Sequence, residues 1–114
     1  MNADDTLHLS ADSCCTKEIA CKLAALSHPA RIEILRHLAG HQACCCKDVV
    51  ECLDLAQSTV SQHLKVLVDA GLVRLTPDRQ RSRYEVDRGA LAALSGTVTR
   101  LLHACCVPPH DVAD

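Results

Sequence analysis

Three runs of cysteine carry the chemistry of this chain: Cys14-Cys15, Cys44-Cys45-Cys46 and Cys105-Cys106, with Cys21 and Cys52 standing alone. Nine thiols is an odd number, so a complete disulfide framework is excluded, and metal binding or thiol sensing is the better reading. Adjacent cysteines also depart from preferred disulfide geometry within a pair. Thiolates are soft ligands that select thiophilic ions. No Cys-x-x-Cys spacing occurs, which argues against thioredoxin-like redox exchange. No Gly-rich phosphate loop and no paired-carboxylate arrangement is present, so the chain reads as a non-enzyme. Three consecutive residues cannot all point inward on a helix or strand, so the 44–46 run is more than core packing. Cys21 and Cys52, each within a helical pattern, read as inert buried thiols.

The elements that position these thiols follow from periodicity. The chain has 114 residues, the size of one small domain. A single tyrosine, Tyr84, is its only Phe, Trp or Tyr, so the core must come from Leu, Val, Ile and Ala. Residues 1–15 read as a flexible arm bearing Cys14-Cys15, 16–106 as the folded domain, and 107–114 as a tail. Ile19, Leu23 and Leu26 repeat with helical spacing. Ser27 caps, and Pro29 opens, a second helix through Ile32, Leu35 and Leu38 that stops at Gly40. Asp48 to Leu53 reads as a third helix. Ser58 caps a fourth, with Val60, Leu64 and Leu67 inward and Ala70-Gly71 at its end. Leu72–Thr76 and Ser82–Val86 make a β-hairpin across a polar turn. A last helix carries Leu91, Leu94, Val98, Leu101 and Leu102, and Pro108-Pro109 forbids its extension. The fold class is therefore mainly α with a β-hairpin wing, a winged helix-turn-helix.

The fourth helix has the chemistry to read nucleic acid. Gln57, Ser58, Thr59, Ser61, Gln62, His63 and Lys65 lie opposite its apolar stripe; such side chains suit base edges and phosphates in a major groove. Arg79, Arg81 and Arg83 on the hairpin supply phosphate contacts. Formal net charge is −2, so the basic character is local. The N-terminus is acidic without an apolar run, and no stretch nears the length of a membrane span, so a cytoplasmic protein with reduced thiols is expected.

Two motifs carry a resemblance. Leu55 to Leu67 (LAQSTVSQHLKVL), followed by Asp69-Ala-Gly-Leu-Val73, resembles the ArsR/SmtB family of metal-sensing winged-helix repressors, as does Leu26 to Leu35 (LSHPARIEIL). The resemblance covers residues 16–104. It implies a homodimer through the first and last helices that binds operator DNA and is released by an inducer. It further implies that Cys44, Cys45 and Cys46 correspond to the Cys-x-Cys before the third helix of arsenic- and cadmium-type members. Lys47 intrudes before Asp48, and two registers stay open: Cys44 with Cys46, or Cys45 with Lys47. Cys14 and Cys15 correspond to N-terminal ligands that reach a partner's third helix. Cys105 and Cys106 are a competing site, resembling a last-helix Cys pair that lacks its later third cysteine.

The places of the family's zinc-type last-helix site hold Arg88, Ala90, Leu101 and Ala104, and a one-residue slip recovers Asp87 alone. That site looks absent, and His37, His41 and His103 read as surface or satisfied histidines. The implied inducer is As(III) or Sb(III), with Cd(II) or Pb(II) next. A repressor of the same fold sensing persulfide or oxidant is the alternative, through Cys105 or Cys106; the second helix, with Arg36 and His37, lacks the partner cysteine.

Overall fold

The computed structural model describes residues 10–109, with side chains from Cys15 onward. Five helices and one hairpin follow in order: α1 (Ser10–Ala25), α2 (Pro29–Ala39), α3 (Cys46–Leu53), α4 (Gln57–Asp69), β1 (Val73–Thr76), β2 (Arg83–Val86) and α5 (Arg88–Cys106). Helix α1 starts at Ser10, inside the segment read as an arm, so Cys14 and Cys15 are helical. Among the described residues, no helix is long and apolar enough to cross a membrane.

The α2–α3–α4 unit forms around one apolar seam. Ile34 and Leu38 of α2, Val49 of α3, and Val60, Leu64 and Leu67 of α4 are all buried, and Leu72, Val73, Val86 and Leu94 close the core. Burying side chains of this size stabilises by about 1.5–3 kcal/mol each. The inward positions of α4 are those its period dictates. Its start differs: Ala56 is the N-cap, without a side-chain bond, and Gln57 rather than Ser58 opens the helix. Ser27 likewise yields to His28, whose Nδ1 accepts from the Ala30 amide at 3.0 Å. Pro29 then occupies the first turn, where its missing N–H costs nothing.

The end of α4 is set by Gly71, at φ 82°. Its amide donates to the Val68 carbonyl at 2.9 Å and that of Leu72 to Leu67 at 3.1 Å, so two orphan carbonyls are satisfied and Leu72 is turned into the core. The chain enters the hairpin with Val73 opposite Val86, Arg74 opposite Glu85, Leu75 opposite Tyr84 and Thr76 opposite Arg83. Arg74 pairs with Glu85 across the strands at 3.3 Å.

A contact that no local pattern announces joins the α2–α3 linker to this hairpin. Cys44 forms an antiparallel bridge with Tyr84: its amide donates to the Tyr84 carbonyl at 2.9 Å, and the Tyr84 amide donates back at 2.6 Å. Strand β2 thus lies between β1 and a one-residue third strand. Asp87 then caps α5, its Oδ1 accepting from the Ala90 amide at 3.0 Å. Helix α5 packs back on α1. The pair leaves apolar side chains uncovered: Leu23 is 40% exposed, Leu101 45% and Leu102 57%.

Candidate functional site

On α4, Gln57, Ser58, Ser61, Gln62 and Lys65 are exposed on the side away from the core, while Thr59 and His63 are half-buried. The His63 ring is held from α2: Arg31 Nη1 lies 3.3 Å from its Nδ1, and the His28 ring centroid is 4.5 Å away. Burial first, then the neighbouring His28 and Arg31, hold its imidazole below the ordinary range. Lys65 reaches Asp69 at 3.3 Å in an exposed pair that costs little to exchange for a phosphate. On the hairpin, Arg79 is exposed and Arg83 pairs with Asp78 at 3.4 Å.

Arg81 behaves differently from its neighbours. Its Nη1 donates to Cys45 Sγ at 3.3 Å, so a wing guanidinium is tied to the cysteine run. Cys45 is the N-cap of α3 (φ −88°, ψ 166°) and is buried; its amide donates to Asp48 Oδ2 at 3.1 Å. That bond, first among its causes, holds the Asp48 carboxyl below its usual range. Cys46 is half-buried and points its thiol toward the Gln57 carbonyl at 4.0 Å. Burial, then Cys45, pushes the Cys46 thiol up. Cys45, Cys46, Gln57, Arg81 and Tyr84 share one open cleft of about 470 Å³.

Cys44 turns the other way. Its Sγ lies 3.8 Å from His37 Nε2, and it opens on a second cleft that also holds His41 and Cys52. Burial, then Asp48, raises its thiol. The cause of the split is local backbone: Cys44 is in an extended bridge and Cys45 in an extended cap, so successive side chains alternate. Of the two registers expected from sequence, the cleft parts Cys44 from Cys46 and keeps Cys45 with Lys47, adding Cys46 to that pair.

The remaining thiols are dispersed. Cys15 lines a cleft between α1 and α5 with Glu18, Ile19 and Leu94, and does not share the cleft of Cys45 and Cys46; the Cys14 side chain lies outside the described residues. Cys105 and Cys106 are exposed at the end of α5. Cys21 and Cys52, expected to be buried, are exposed as well. Among the described residues, His37, His41 and Cys44 form the group of three with metal-ligand atoms mutually within 4.8 Å. Sequence reasoning passed over the two histidines. Their signal is His-x3-His across the end of α2, with His41 just past the Gly40 cap, followed by Cys three residues later.

Comparison with known proteins places this geometry in context. A helix-turn-helix domain family matches residues 26–76. The chain is 37% identical over 71 residues to an arsenical resistance operon repressor of Staphylococcus xylosus, covering 62% of this chain and 67% of the relative. It is 33% identical over 82 residues to the transcriptional regulator YgaV of Escherichia coli, covering 72% and 83%. An ArsR-like transcriptional regulator from Rhodococcus superposes with a TM-score of 0.70 at 26% identity, covering 78% of this chain and 83% of that one.

Proposed function

The chain belongs to the ArsR family of winged-helix regulators, and we propose that it is a transcriptional repressor that binds operator DNA as a homodimer and releases it when As(III) or Sb(III) binds its cysteines. The observation that carries this reading is the cleft in which Cys45 and Cys46 meet Gln57, the first residue of α4, and Arg81 of the wing. The inducer's ligands and the two DNA-contacting elements are thereby neighbours, with no long relay between them.

The donor set fits a thiophilic ion. Cys45 and Cys46 supply two sulfurs from a capped helix start. A third comes in this reading from Cys14 or Cys15 of a second copy, since Cys15 of the same chain faces α5. Cd(II) and Pb(II) follow As(III) and Sb(III) on ligand softness. When arsenite binds, each thiol proton leaves with an arsenic-bound hydroxide as water, so the exchange balances without net proton release.

The residues' response follows from what they touch. Arg81 loses its acceptor when Cys45 turns to an ion, and the wing loses its tie to α3. Cys46 is drawn from the Gln57 carbonyl, which loosens the start of α4. In the bound state Gln57, Ser58, Ser61, Gln62 and Lys65 meet bases and phosphates, while Arg79 and Arg83 hold the backbone. Thr59 and His63 steady the helix from its flank. The exposed leucines of α1 and α5, Leu23, Leu101 and Leu102, are the surface a second copy covers. Such a protein works beside DNA in the cytoplasm.

The test is fluorescence anisotropy of reduced protein on its own promoter DNA. Arsenite weakens binding by roughly 5–150-fold, the span of a coupling of about 1–3 kcal/mol. Cys45→Ser/Cys46→Ser keeps a preferred N-cap and a hydroxyl that can accept from Arg81, so it binds DNA within severalfold of wild type and ignores arsenite. Cys44→Ser still responds. Release that survives the double substitution overturns the assignment, and release by polysulfide in place of arsenite moves sensing to Cys105 and Cys106.

A further inference from the structure

We propose that His37, His41 and Cys44 form a second metal site, which takes a divalent cation of the zinc class and is separate from the Cys45–Cys46 cleft. The site goes beyond the arsenite reading and does not depend on it.

Its three ligand atoms already lie within 4.8 Å of one another. In tetrahedral zinc coordination, bond lengths of about 2.0–2.3 Å set sulfur and nitrogen about 3.5 Å apart. The observed separation of Cys44 Sγ and His37 Nε2, 3.8 Å, is close to that value. His37 and His41 lie side by side, 4.1 Å between centroids with planes 27° apart, so a turn of the His37 ring brings both lone pairs onto one ion.

His41 is also oriented from behind. His41 Nδ1 lies 2.6 Å from the His37 carbonyl, an acceptor only, so that nitrogen carries the proton. The Nε2 lone pair is therefore directed outward. This is the support that metal-binding imidazoles receive from a second partner, fixing both tautomer and ring plane. Cys44 is fixed by its two backbone bonds to Tyr84. Three ligands are thus held by a helix end and a bridge, while the cleft in front stays open for entry.

The same cleft contains Glu51 and Cys52 of α3, which offer a fourth donor. Asp48 is already committed to the Cys45 amide. Two imidazoles and one thiolate are a borderline-soft set that suits Zn(II) and Co(II), whereas As(III) prefers sulfur alone. The two faces of one cysteine run therefore sort different ions.

Co(II) titration of the full-length reduced protein, under anaerobic conditions, tests the site. One equivalent per chain gives intense visible bands of tetrahedral cobalt and a thiolate-to-cobalt charge-transfer band. Cys45→Ser/Cys46→Ser gives the same spectrum. His41→Gln, at an exposed position, and Cys44→Ser each weaken Co(II) binding by more than about tenfold. The proposal is overturned if wild type shows only the weak bands of octahedral cobalt. It is equally overturned if the spectrum survives His41→Gln but is lost in Cys45→Ser/Cys46→Ser. Failure of arsenite to release DNA, by contrast, would bear only on the other cleft.

Discussion

Cys44 and Cys45 are neighbours in the chain and strangers in space. Cys44 faces two imidazoles and is pinned by a strand bridge; Cys45 faces a guanidinium and caps a helix. Both are buried, yet one sits beside two imidazoles and the other beside a fixed positive charge. The difference teaches that a thiol's partner is chosen by backbone direction and not by adjacency. A run of cysteines at such a junction presents two faces, each completed by a different element.

The largest expected effect separates the two classes of ion by proton count. Cys46 holds its proton more tightly than an ordinary thiol because it is half-buried beside Cys45. A divalent ion must displace that proton at every pH below the raised pKa. Cd(II) affinity at this cleft therefore climbs about tenfold per pH unit, or about a hundredfold over two units, from this thiol alone. Competition against a chelator at several pH values measures it. Arsenite, which discards thiol protons as water, shows no such climb. A flat Cd(II) profile would mean that no protonated thiol, Cys46 included, is a ligand.

A second effect compares burial. Cys44→Ser sets a hydroxyl in the place of a sulfur on a residue that is 4% exposed, at a cost of about 1–3 kcal/mol in urea denaturation. Cys46→Ser, at a half-buried position, costs less. Equal midpoints for the two variants would erase the contrast between the faces.

The smallest effect concerns the wing. Arg81→Gln removes a guanidinium that belongs to both the cysteine cleft and the backbone-contacting hairpin. DNA affinity falls severalfold, and the slope of log affinity against log salt shrinks by about one. An unchanged slope would mean that Arg81 serves Cys45 alone.

Much of the frame was legible before any coordinates. The inward face of α4, Val60, Leu64 and Leu67, follows from its period, and Ala70-Gly71 ends the helix because Gly71 takes a positive φ. Helix starts were less legible. Ser27 and Ser58 look like caps, but His28 and Ala56 hold those places, since the tertiary entry angle decides which residue is last outside the helix. The site was half legible. Its thiols stand out in the chain, but their division rests on a bridge between Cys44 and Tyr84, forty residues apart, with no local signal. The turn of Arg81 back to Cys45 has the same long-range origin. The grouping of His37 and His41 with Cys44 lies away from the last-helix places of the family's zinc-type site, so the two read from sequence as surface or satisfied histidines.

The bridge between Cys44 and Tyr84 has a consequence for transplantation. A sensing motif is usually cut out as a contiguous stretch and grafted into a new host. Here such a graft would carry the thiols and leave behind what aims them, because Tyr84 sets the facing of Cys44 and Arg81 the company of Cys45. The portable unit is discontinuous, the end of α2 with its linker on one side and the outgoing wing strand on the other. Exchanging ion preference between proteins of this kind therefore means moving both pieces together.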